Sequence, residues 1–134
     1  MKIQSLMSKI FFFSLLFFSL TINAQVSNCK SAHIGKFELD SGEYGVFVVE
    51  RNLKTQTEKN EKLGFKAIYD IVWKDDCHYE LKNRKIIKGE ILEGSSPNDV
   101  VKVEIVKVVD GKVFLKIGSN FSDEEMECEM TKIK

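Results

Sequence analysis

Three cysteines, two histidines and one acidic cluster are where this chain gathers side chains that could do chemistry. Cys29 and His33 are spaced Cys-x-x-x-His, and His78 directly follows Cys77, so the four can be drawn as a tetrahedral zinc site. The spacing argues against it. Cys77 and His78 are consecutive in a stretch that reads as a strand, and consecutive strand side chains leave on opposite faces. A cysteine nucleophile beside an imidazole is the second possibility. A disulfide-bonded Cys77 could not serve, and Cys128 stands between Glu127 and Glu129, whose charge opposes thiolate formation. Asp123, Glu124 and Glu125, with Asn120 and Ser122, lack the spacing and central glycine of a calcium loop and read as a solvated turn. No phosphate loop, serine-centred elbow or paired-histidine motif is found. The expectation is no metal, no cofactor, no catalytic residue and no enzyme.

The compartment follows from the first residues. Lys2 and Lys9 flank a start without acids, an unbroken apolar run covers Ile10 to Leu20, and Thr21, Ile22, Asn23 and Ala24 form a polar, small-residue exit. A basic start, a short apolar core and a small residue at the cut describe a secretory signal peptide. The run is shorter than the roughly 20 residues of a membrane span. Cleavage is expected after Ala24, leaving residues 25–134 as one exported domain, periplasmic or secreted, with no membrane span. A lipidated Cys29 is disfavoured, because Asn28 precedes it and polar residues separate it from Leu20.

The whole chain carries 20 basic and 20 acidic residues, and loss of Lys2 and Lys9 leaves the remainder slightly acidic. Lysines and acids interleave, so no basic footprint for nucleic acid can be drawn. In an oxidising compartment an odd count of Cys29, Cys77 and Cys128 implies one disulfide and one leftover thiol. These residues alone leave the pairing open.

The elements that must position any site are strands. Glu125 to Glu129 alternate strictly with Met126, Cys128 and Met130, which a helix would smear around its circumference. Phe65, Ala67, Tyr69, Ile71 and Trp73 share one face of a second run. Val101, Val103 and Ile105 alternate until the parity passes to Val106 and Val108, which predicts a bulge. Asp110-Gly111 then sets a hairpin against Val113, Leu115 and Ile117. Weaker strands cover 35–39 and 44–51. Residues 52–59 are polar and read as an exposed or edge strand, 77–82 as a further strand, and 83–98 as ambiguous between helix, strand and loop. About eight strands in a meander predict an all-β fold, either a small antiparallel barrel or a strongly bent sheet, with an open sandwich as the alternative.

Asn28-Cys29, Gly35-Lys36-Phe37, Glu50-Arg51-Asn52, Gln56-Thr57-Glu58, and above all the Trp-x-x-Asp-Cys-x-Tyr-x-Leu segment from Trp73 to Leu81 carry a resemblance. They are similar to a group of small exported β-rich proteins of Gram-negative bacteria of unassigned function, which look like minimal relatives of lipocalin-type barrels. In that group the cysteines matching Cys29 and Cys77 recur, which implies a Cys29–Cys77 disulfide here.

Two functional expectations follow. One is a packed, non-catalytic domain with a structural role or a surface that binds a protein or envelope component. The other is a barrel whose interior, lined by Phe65, Tyr69, Ile71, Trp73 and Tyr79, holds a small apolar ligand.

Overall fold

The computed structural model describes residues 28–90 and 96–134. The leader, its cut at Ala24 and residues 91–95 of the ambiguous stretch lie outside the described residues. Eight strands form a closed antiparallel barrel in which each pairs with its neighbours in sequence. They are β1 (Gly35–Asp40), β2 (Val46–Arg51), β3 (Thr55–Asn60), β4 (Phe65–Asp75), β5 (His78–Lys88), β6 (Val101–Val109), β7 (Lys112–Ser119) and β8 (Met126–Lys132). Pairing of Phe37 with Lys132 and of Glu38 with Thr131 joins β1 to β8 and closes the sheet. Closure removes the free edges an open sandwich would leave.

The alternation read from the sequence becomes an inside and an outside. Phe37, Val49, Ala67, Ile71, Tyr79, Leu81, Val103, Ile105, Val113, Leu115 and Met130 are buried within the barrel. Asp110 and Gly111 adopt φ of 51° and 76°, the left-handed pair that a two-residue hairpin between right-twisted strands requires. The expected bulge lies between Ile105 and Lys107, where the register against β7 shifts.

Two expectations are corrected. β3 is no edge strand: it is hydrogen-bonded to β2 on one side and β4 on the other. Its even-numbered polar residues point inward, with Gln56 and Asn60 buried, and Lys59 stays exposed on the outer face. The first part of the ambiguous stretch is strand, since β5 continues to Lys88. Asn83, at φ 52°, sits in a register shift against Ile68 to Asp70 and donates from Nδ2 to Asp70 Oδ2 at 2.9 Å. The shift changes which residues face in. Tyr79 and Leu81 face inward before Asn83, and Arg84 and Ile86 after it; Ile86 is paired with buried Ala67.

The two ends of the barrel differ. A single 3₁₀ turn, Cys29–Ala32, closes one end, with Cys29 and Ala32 buried against the core. Cys29 is disulfide-bonded to Cys77 in the β4–β5 turn, across 48 residues of sequence, and its Sγ lies 3.6 Å from the Ile105 carbonyl oxygen. At the other end β5 outruns its neighbour. Among the described residues β5 pairs with β6 only from His78 to Leu81, and beyond that with β4 alone.

Candidate functional site: a polar spine leading to an open cup

Inside β2 to β5, register builds a row of polar side chains across the wall. Arg51 is paired with Gln56, and Gln56 with Tyr69; the Asn83 shift brings Arg84 into the same region. One step toward the open end, Glu58 lies opposite both Val49 and Ala67. A strand places alternate residues on one face, so these groups must meet inside.

Their contacts form a continuous chain. Buried Arg51 donates from Nε to Gln56 Oε1 at 3.0 Å, from Nη1 to the Ala32 carbonyl at 2.7 Å and from Nη2 to the Tyr79 hydroxyl at 2.7 Å. Its guanidinium lies 5.1 Å from the centre of the Phe37 ring and 4.7 Å from that of Tyr79. Gln56 Nε2 donates in turn to Glu58 Oε1 at 2.9 Å. The Tyr69 hydroxyl lies beside Glu58 and Arg84, and both charges act on it. The spine thus runs from the plug, through Arg51 and Gln56, to Glu58, Tyr69 and Arg84.

Electrostatics follow from burial. Desolvation pushes the Glu58 carboxyl above its ordinary range, while the Gln56 amide, the Arg51 charge, the Tyr69 hydroxyl and the Arg84 charge pull it back. Burial pulls Arg51 below its ordinary value, and Tyr79 and Glu58 oppose that; a guanidinium still stays charged. Burial first, and the Glu58 charge second, push the Tyr69 hydroxyl up to about 12. Tyr79 is also pushed up to about 12 by burial, despite the Arg51 charge. The Cys128 thiol is half-buried and pushed up, by burial and then by Glu58, so a thiolate is disfavoured there.

Above the spine the barrel opens into a cup of about 560 Å³ lined by Phe47, Glu58, Leu63, Phe65, Tyr69, Arg84, Ile86, Gly89 and Glu90. Its floor is the Glu58–Tyr69–Arg84 cluster and its walls are apolar. Phe47 and Phe65 meet edge to face at 6.4 Å between ring centres. Gly89, at φ 97°, brings the end of β5 against the β3–β4 turn. A Cβ there would lie 3.0 Å from the Gly64 carbonyl oxygen, so the close approach needs glycine.

The five residues expected to line an interior divide between the two ends. Phe65 and Tyr69 line the cup. Ile71, Trp73 and Tyr79 belong to the packed plug end. Trp73 lies 4.7 Å from the Tyr79 ring and is stacked on His33 at 3.7 Å. Its Nε1 is buried with no hydrogen-bond partner among the described residues. His33 is half-buried against this ring, with Nε2 donating to the Asp76 carbonyl at 2.7 Å. Arg51, Gln56, Glu58 and Arg84 were not expected as site residues, although the first three lie in segments that carry the resemblance. The usable signals were the polar face of β3 and the passage from odd to even apolar positions around Asn83.

A larger groove, about 640 Å³, crosses the outer face of β5 to β7. Its charged walls already pair with one another, Lys74 with Glu80 at 3.3 Å and Lys116 with Glu125 at 2.9 Å, and it is open to solvent. No group of three His, Cys, Asp or Glu residues able to hold a metal occurs among the described residues, and none of their helices is long and apolar enough to cross a membrane.

The fold and site define a closed eight-stranded up-and-down barrel, plugged at one end and cupped at the other. The Cys29–Cys77 disulfide fits folding outside the reducing cytoplasm. No family model, curated protein or solved structure matches the chain.

Proposed function

We propose that this is a small exported binding module, periplasmic or secreted, that seats a small amphipathic molecule in the open end of its barrel without acting on it chemically. The observation that carries this reading is the cup itself. Its 560 Å³ falls within the roughly 300–1,000 Å³ typical of ligand pockets. It also combines an apolar wall with a few convergent polar groups, the usual composition of a ligand seat. The likeness to small exported Gram-negative proteins, and more loosely to lipocalin-type barrels, agrees with the reading. The apolar part of the ligand would lie against Phe47, Leu63, Phe65 and Ile86, with its polar end toward Tyr69 and Arg84.

A packed domain that works through its surface is the second reading. It draws support from the close-packed plug end, where Phe37 and Val113 are fully buried. It supplies no reason for Glu58 and Arg84 inside the open half.

Amide chemical-shift mapping of the exported protein with decanol tests the proposal. Shifts concentrated on residues 47, 58, 63–69 and 84–89 are expected. Absence of shifts, or shifts confined to the outer face of β5 to β7, would favour the surface reading. The intact mass of the exported protein should correspond to a chain beginning at Gln25.

A further inference from the structure

Resting on the reading of the cup as a ligand seat, we infer that the seat selects an uncharged ligand. Such a ligand is an alkyl or ring body ending in a hydroxyl, carbonyl or ester, taken in preference to a carboxylate or ammonium of the same size. The floor of the cup points this way, because its polar groups already engage one another. Glu58 accepts a 2.9 Å hydrogen bond from Gln56 Nε2 and has the Tyr69 hydroxyl and the Arg51 and Arg84 charges around it. Arg84 acts on both Glu58 and Tyr69 and is itself engaged rather than free. Arg51 is committed deeper in the barrel, its donors directed to Gln56, Ala32 and Tyr79. A charged head entering the cup therefore finds each floor countercharge taken.

Desolvation then decides between head groups. Phe47, Leu63, Phe65 and Ile86 wall the cup, and their side chains offer neither donor nor acceptor in place of the water a head group loses. Stripping a carboxylate or an ammonium of water without a fresh partner costs far more than burying a hydroxyl or carbonyl. The floor also opposes both signs, since Glu58 meets an anion and Arg84 meets a cation. The acid at the rim, Glu90, is exposed to water and screened. Glu58 is the group that closes the floor. Without its carboxylate the Arg84 guanidinium loses an opposing charge, and an anionic head becomes the replacement.

Calorimetric titration of the exported protein with decanol, decanoate and decyltrimethylammonium at neutral pH decides the matter. Decanol should bind at least about tenfold more tightly than either ion. Glu58→Gln should keep its affinity for decanol, which also shows that the variant is folded. It should narrow the gap between decanol and decanoate by at least about fivefold, with the ammonium bound no better. An unchanged ratio of decanoate to decanol in that variant would overturn the closed floor. Should the variant fail to fold, the ranking of the three probes on the native protein decides alone. Decanoate bound as tightly as decanol would overturn the inference and leave the seat standing. The ammonium bound as tightly as decanol would overturn it in favour of a cation at Glu58 and Glu90. If no probe binds the native protein, the seat and this inference fall together.

Discussion

Arg51 holds Tyr79 twice, by a 2.7 Å hydrogen bond to its hydroxyl and by a guanidinium 4.7 Å from its ring centre. The pair joins β2 to β5 across the interior, and a third bond fastens both to the plug at Ala32. Arg51→Met should destabilise the barrel by about 3–5 kcal/mol, because it strands the Gln56 amide oxygen, the Tyr79 hydroxyl and the Ala32 carbonyl in a buried site and takes a countercharge from Glu58. Arg51→Lys should recover only part of this, since an ammonium cannot reproduce the fork. Denaturant unfolding measures both, and a loss below about 1 kcal/mol would mean the spine contributes little to stability.

Cys29–Cys77 restrains a long stretch of chain in the unfolded state. Reduction, or Cys29→Ser with Cys77→Ser, should cost about 2–4 kcal/mol. Cys128→Ser should leave the reductant sensitivity of the melting temperature unchanged, because Cys128 is the free cysteine. Thermal unfolding with and without reductant reads this directly.

Glu58 gives the barrel a pH dependence of definite sign. Its folded-state pKa is raised by burial, so the unfolded chain loses this proton first as pH rises. The stability linked to it is fully present below the unfolded value, about 4.3, and is lost as pH climbs through the raised folded value. Glu58→Gln removes that term. Relative to the native protein it should therefore gain stability between acid and neutral pH, as paired denaturation curves would show. A constant difference across that range would refute the assignment.

Tyrosinate absorbance offers an independent check on the interior. Two of the chain's three tyrosines, Tyr69 and Tyr79, should stay protonated until about pH 12. A spectrophotometric titration should show two of the three ionising late or only on alkaline unfolding. Early titration of all three would mean that water reaches the spine.

Much of the wall was legible in the sequence, because most strands place apolar residues on one face. Met126, Cys128 and Met130 against three glutamates, and Asp110-Gly111 between two alternating runs, specify strand, register and turn by themselves. The candidate site was legible only in part, since Phe65 and Tyr69 are apolar enough to read as inward-facing. Gln56 and Glu58 looked like the outside of a strand because polarity ordinarily marks solvent, and only closure of the barrel reveals their partners. Arg84 was hidden by the parity change at Asn83, which periodicity cannot follow through an irregular strand. Arg51 looked like the charged end of a strand; nothing local says that the 3₁₀ turn folds back over it.

The stacking of His33 on Trp73 has an optical consequence. Trp73 is the chain's lone tryptophan, and it lies four residues beyond Tyr69 along β4, about 13 Å at an ordinary strand rise. Its emission is therefore governed by the imidazole against its face and stays largely blind to whatever occupies the cup. Intrinsic fluorescence in this protein is a gauge of how firmly the amino-terminal turn is seated, and a built-in indicator of its release when the disulfide is cut.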